Sequence, residues 1–139
     1  MSGPVAASDL AIWNRLIAIN LTTALMTTRA LLPFVRAGRG SMVYFSSEAA
    51  LPGGRIAAMS AYAVAKTGVI TLMRAVAQEE RANGVRANAL APSSIRTASN
   101  VATMGDGVRY VEREEVADAV LYLCSDHASA VTGQVVRLG

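Results

Sequence analysis

Over residues 9–35, apolar positions recur at helical spacing, with Ser8 placed to cap the start and Pro33 near the far end. This predicts one long helix. A glycine-bearing turn at 37–40 leads into 41–46, where Met42, Val43, Tyr44 and Phe45 form the centre of a short buried strand. Pro52, Gly53 and Gly54 mark a loop, and a second long helix is expected from Ser60, as its N-cap, to Asn83, with Gly84 supplying a left-handed C-terminal position. Residues 85–90 read as another strand. The stretch 91–111, rich in Ser, Gly and Asn, is too long for a simple turn and suits a segment that covers a site. A third helix over 112–125 and a last strand over 133–138 complete the order αβαβαβ. Strands alternating with helices imply an α/β fold, a parallel sheet with right-handed crossovers and helices on both faces.

The chain of 139 residues fits one domain, and nothing in the connecting segments marks a boundary within 1–139. Its apolar stretches are interrupted before the roughly 18 residues that span a bilayer, so no transmembrane helix and no membrane partner are expected. The opening residues resemble no secretory signal, and the expected location is cytoplasmic. One cysteine, Cys124, and one histidine, His127, leave no disulfide framework and no metal site; Cys124 reads as a buried helix thiol. The net charge of +3 comes from dispersed arginines, which argues against a nucleic-acid surface. Lys66 is the single lysine among thirteen basic residues.

That lysine stands four residues after Tyr62, so both side chains share one helix face a turn apart. A phenol with a pKa near ~10 is a weak base at neutral pH, but a neighbouring ammonium stabilises the phenolate. The pair can therefore give and take a proton at an alcohol or ketone oxygen. Alone, Tyr-x-x-x-Lys is a weak signal, and packing explains it as well. Ser46 and Ser47 end the preceding strand, at the edge where a parallel sheet binds ligands, and a hydroxyl there can polarise a carbonyl. Asn20 lies in an apolar helical run, where its side chain competes for backbone hydrogen bonds and calls for an explanation in packing or function.

Taken in order, Trp13, Asn20-Leu21, Val43-Tyr-Phe-Ser-Ser47, Tyr62-Ala-Val-Ala-Lys66, Val85-Arg-Ala-Asn-Ala-Leu-Ala-Pro92, Glu115-Val-Ala-Asp, Ser125-Asp and Val131-Thr-Gly-Gln134 resemble the later half of a short-chain dehydrogenase/reductase. The resemblance covers nearly the whole chain. It implies the last three strands of a seven-stranded Rossmann-like sheet, a small alcohol or ketone substrate and NAD or NADP as cofactor. It further implies Tyr62 as acid/base, Lys66 on the nicotinamide ribose, Ser47 on the substrate oxygen and Asn20 anchoring a water that relays protons to Lys66. Pro92, Ile95 and Thr97 would wrap the nicotinamide, and the two long helices would pair in a homo-oligomer. Ser93 stands where the family has glycine, and the Ser47–Tyr62 gap is longer than usual, which keeps Ser46 open as an alternative. The carboxyl end Val136-Arg-Leu-Gly139 also departs from the family's acidic, glycine-paired ending.

No glycine pattern matches G-x-G-x-x-G or the family's T-G-x-x-x-G-x-G, the turn whose amides bind the cofactor's pyrophosphate. Three readings follow. The chain is part of an oxidoreductase, truncated or fragmentary; or it is a non-catalytic half that completes its sheet with a partner chain; or it is a small lyase or isomerase that needs no nicotinamide. The substrate is not legible.

Overall fold

The computed structural model describes residues 3–139. A helical rod runs from Leu10 to Ala37 in three parts: α1 (Leu10–Ile17), a π-helical turn (Ala18–Thr22) and α2 (Thr23–Ala37). Asp9, not Ser8, caps it, its carboxylate accepting from the amides of Ala11 at 2.7 Å and Ile12 at 3.2 Å. Next come β1 (Ser41–Phe45), α3 (Ser60–Glu79), β2 (Arg86–Pro92), α4 (Ala98–Met104), α5 (Arg113–Cys124) and β3 (Val135–Leu138). Among the described residues the strands form one sheet in the order β1-β2-β3, all parallel, with Ser41 opposite Arg86 and Ala89 opposite Val135. The α/β class and parallel order read from the sequence hold.

The central strand sets the core. Ala87, Asn88, Ala89, Leu90 and Ala91 are fully buried, and small alanines let helices approach both faces of the sheet. Buried Asn88 is satisfied at both ends, donating to the Val131 carbonyl at 2.9 Å and accepting from the Gln134 amide at 3.1 Å. On one face Val69, Met73, Val76 and Ala77 of α3 pack with Tyr44, Ala87 and Ala89. On the other, Val116 and Leu123 of α5 pack with Leu90 and Val111. A clamp joins the ends of α2 and α3: Arg36 Nε donates to buried Glu80 at 2.6 Å, and Asn83 donates to the same carboxylate at 2.8 Å. The Arg36 hydrogen bond, outweighing burial, holds the Glu80 carboxyl down at about 2.

Several sequence expectations need correction. Met59 rather than Ser60 occupies the N-cap of α3, and the Ser60 hydroxyl is buried without a partner among the described residues. The second helix ends at Glu79; a 3-10 turn, Arg81–Asn83, then reaches Gly84, whose φ of 74° is the left-handed conformation expected there. The stretch 91–111 contains α4, capped by the Thr97 hydroxyl accepting from the Asn100 amide at 3.2 Å. Cys124 is exposed, because Leu123 takes the inward position of that turn. The rod Leu10–Ala37 has 28 residues and a stretch of mean hydropathy 1.3, so by length and composition it is apolar enough to cross a membrane. Counting uninterrupted apolar runs missed this, because one Arg or Asn lowers a windowed average only slightly.

Candidate active site

The carboxyl ends of the strands lie together, and β1 leads directly into Ser46 and Ser47. The two serines have different duties. Ser46 is buried, and its hydroxyl donates to the Lys66 backbone carbonyl at 2.9 Å, which ties the end of β1 to α3. Ser47 is half-buried and caps the 3-10 turn Glu48–Ala50, accepting from the Ala49 amide at 3.3 Å. Its proton has no acceptor among the described residues, so it is the hydroxyl with a hydrogen bond left to give. The turn itself is held by Arg137 of β3, which pairs with Glu48 at 2.9 Å.

Tyr62 and Lys66 occupy the first two turns of α3 on one face, as their spacing requires, with the ammonium 5.7 Å from the centroid of the Tyr62 ring. The Tyr62 hydroxyl has no hydrogen-bond partner among the described residues and remains available to a ligand. Lys66 Nζ donates to the Phe45 carbonyl at 3.0 Å. Burial pushes the Lys66 pKa below its ordinary value, because a desolvated ammonium is costly.

Asn20 sits in the π turn, whose wider winding explains how a polar residue fits an apolar helix: its side-chain amide donates to the Leu16 carbonyl at 3.0 Å. Next to it, Leu21 presses into a notch at Gly68, where an added Cβ would lie 2.8 Å from Leu21 Cδ2. That close approach brings the π turn against α3. Asn20 and Lys66 thus line the same cavity of about 470 Å³, without a direct hydrogen bond between them.

On the β2 side, Ser93 continues the sheet by donating its amide to the Leu138 carbonyl at 2.9 Å, and its hydroxyl is turned toward Gly139. Pro92 closes β2, where its missing amide costs no ladder bond. The Ile95 carbonyl accepts from the Thr97 amide at 2.9 Å and from Asn100 at 2.8 Å, while the Ile95 amide has no acceptor among the described residues. Thr97 accepts at its cap and keeps a proton to give. Sequence reasoning missed the staple that closes this segment: Arg96 lies 4.7 Å from the Tyr110 ring centroid and bonds Glu112 at 2.7 Å, while the Tyr110 hydroxyl donates to Gly105 at 2.7 Å. Thr97 and Gly105, a cap and a stop flanking 98–104, were the signals that could have revealed α4.

The donor set fits the nicotinamide end of a dinucleotide: free hydroxyls at Tyr62, Ser47 and Thr97, the Ile95 amide and a lysine. The sequence contains no glycine-rich turn to cradle a pyrophosphate.

A family model described as enoyl-(acyl carrier protein) reductase matches residues 1–138. Cis-4-hydroxycyclohexanecarboxylate dehydrogenase of Sinomonas cyclohexanicum is 38% identical over 146 residues, covering 97% of this chain and 58% of its own length. Among solved structures, a short-chain type dehydrogenase/reductase from Mycobacterium ulcerans superposes with a TM-score of 0.89 at 32% identity, over 97% of this chain and 53% of that one. A 3-oxoacyl-[acyl-carrier protein] reductase from Brucella melitensis, solved with bound NAD, gives 0.82 at 32% identity, over 99% of this chain and 54% of that one. The chain spans about half the length of these relatives.

Proposed function

Because this chain belongs to the short-chain dehydrogenase/reductase family, we propose that it is the catalytic half of an oxidoreductase acting between NAD or NADP and an alcohol or ketone. The observation that carries the reading is the Lys66 ammonium 5.7 Å from the centroid of the Tyr62 ring on one face of α3, with an uncommitted proton on Tyr62 and another on Ser47 just past the carboxyl end of β1. Tyr62 gives a proton to the substrate oxygen in reduction and takes it in oxidation. Ser47 donates to the same oxygen and orients it. Lys66 holds the ribose, while Asn20 supports a water leading to Lys66. Pro92, Ile95 and Thr97 hold the nicotinamide, which when bound supplies the hydride chemistry. A cytoplasmic location and a homo-oligomer built on the two long helices belong to the same reading. Supporting the latter, Leu25, Met26 and Phe34 lie exposed on α2, and sedimentation showing only monomer would contradict it.

The test is Tyr62→Phe in the enzyme assembled with its nucleotide-binding half. Turnover should fall by about 10²–10⁴ while thermal unfolding stays put, since only a hydroxyl without a protein partner is removed. Near-normal turnover would contradict the assignment. A second reading, a half-domain whose role is to complete a sheet with another chain, is favoured by one feature: among the described residues β1 has no strand neighbour on its outer edge.

A further inference from the structure

At the amino ends of the strands, the edge opposite Tyr62, lies a second cavity of about 710 Å³. Arg39, Arg81 and Arg86 line it together with one acid, Asp126. Arg86 is committed to the fold: its guanidinium donates to the Leu123 carbonyl at 2.6 Å and the Ser125 carbonyl at 3.1 Å, which offsets the negative end of α5. The side chains of Arg39 and Arg81 have no hydrogen bond or ion pair among the described residues. Glu80, next to Arg81 in sequence, is already taken by Arg36 and Asn83. Arg39 is also held in place. Its φ of 50° is the left-handed conformation, although glycines at 38 and 40 flank it and would take that conformation more easily. Its guanidinium rests on Gly84, where an added Cβ would lie 2.7 Å from Nε and 3.0 Å from Cζ. The Gly84 amide in turn bonds the Arg81 carbonyl at 3.1 Å, so the two arginines meet at one turn. A residue that breaks the local rule while its charge is seated against a glycine points to a use for that charge.

We propose that this cavity binds a small sugar phosphate, with the phosphate on Arg39 and Arg81 and the sugar hydroxyls on the facing wall. Charge decides for phosphate. A phosphate monoester carries about −1.5 to −2 at neutral pH and several acceptor oxygens, which matches two unpaired guanidinium groups, whereas a carboxylate would leave one unpaired. On the facing wall, Thr132 Oγ1 accepts from the Ala87 amide at 3.1 Å and keeps a proton to give, and Ser129 Oγ has no partner among the described residues. The Asp126 carboxylate can accept from a sugar hydroxyl. The cavity is larger than inorganic phosphate needs and falls in the range of small-molecule sites, about 300–1,000 Å³. Among the described residues no aromatic ring lines it, so a nucleobase has nothing to stack on. The site lies at the far edge from Tyr62, and the inference does not rest on the catalytic reading.

Calorimetric titration of the 139-residue chain in phosphate-free buffer tests the site, with ribose 5-phosphate, inorganic phosphate, ribose and adenosine monophosphate as probes. Ribose 5-phosphate should bind with a Kd of about 1 mM or tighter, and ribose should give no heat. Arg39→Gln and Arg81→Gln should each weaken binding by about tenfold, while Arg109→Gln, at an exposed arginine outside the cavity, should leave it unchanged. Thermal unfolding checks that each variant folds. Arg81 is exposed on its 3-10 turn, so its variant keeps the test readable where Arg39→Gln disturbs the end of α2. No binding of ribose 5-phosphate at about 10 mM, or affinity unchanged in both arginine variants, would overturn the site. Inorganic phosphate binding as tightly as ribose 5-phosphate would overturn the recognition of the sugar. Tighter binding of adenosine monophosphate would overturn the sugar phosphate and make a nucleotide the ligand. Tyr62→Phe should bind ribose 5-phosphate like the unaltered chain, so the outcome is independent of catalysis.

Discussion

Two long helices lie against the same sheet and fare differently. α3 buries eight of its twenty residues, including Val69, Ile70 and Met73; the rod Leu10–Ala37, which reads as apolar in sequence, buries Thr28 alone. The strands differ in the same sense. β2 is paired on both sides and buried along nearly all its length, whereas β1 is paired on one side and leaves Phe45 exposed. Periodicity determines that a helix forms, but burial depends on which layers are present to receive its apolar face. The chain therefore has a closed side, α3–β2–α5, and an open side, the rod and the outer edge of β1.

The sharpest way to break this comparison is to truncate one methionine on each side. Met73→Ala, at a fully buried position, should cost about 2–5 kcal/mol in urea unfolding. Met26→Ala, at a position 56% exposed, should stay within about 0.5 kcal/mol. Equal costs would mean that the rod is packed in solution. A smaller effect of opposite sign is expected at Ser60, whose buried hydroxyl lacks a partner: Ser60→Ala should stabilise this chain by about 1 kcal/mol. A loss of stability would show that the hydroxyl is satisfied. The mildest effect is confined to acid. Glu80 titrates at about 2 in the folded chain against 4.5 ordinarily, chiefly through its hydrogen bond from Arg36. Its contribution is thus complete above about 4.5 and is lost as the pH falls toward 2. Glu80→Gln should flatten that part of the melting-temperature profile, and an unchanged acid slope would remove Glu80 as its source.

The sequence made the architecture legible because its signals are local. Strand cores, the Gly84 stop and the Tyr62/Lys66 spacing all follow from residues a few positions apart. Features set by distant groups were harder to see. Ser8 and Ser60 carry the right side chain for a cap, yet Asp9 and Met59 occupy those positions, and the Ser8 hydroxyl instead donates to the Pro4 carbonyl at 3.3 Å. Ser46 and Ser47 look equivalent until Lys66, twenty residues away from Ser46, claims the Ser46 proton. The bond from Lys66 to the Phe45 carbonyl could not be foreseen, since it depends on the edge of β1 being open.

On the proposed reading, this chain supplies the groups that act on the substrate and the nicotinamide, while phosphate recognition requires a turn its sequence does not contain. Calorimetric titration of the 139-residue chain with NAD and with NADP tests it most directly. If Tyr62, Lys66 and Thr97 meet only the nicotinamide end, as proposed, no binding heat is expected at micromolar cofactor, and any interaction should need millimolar concentrations. A micromolar dissociation constant for either cofactor would contradict the account.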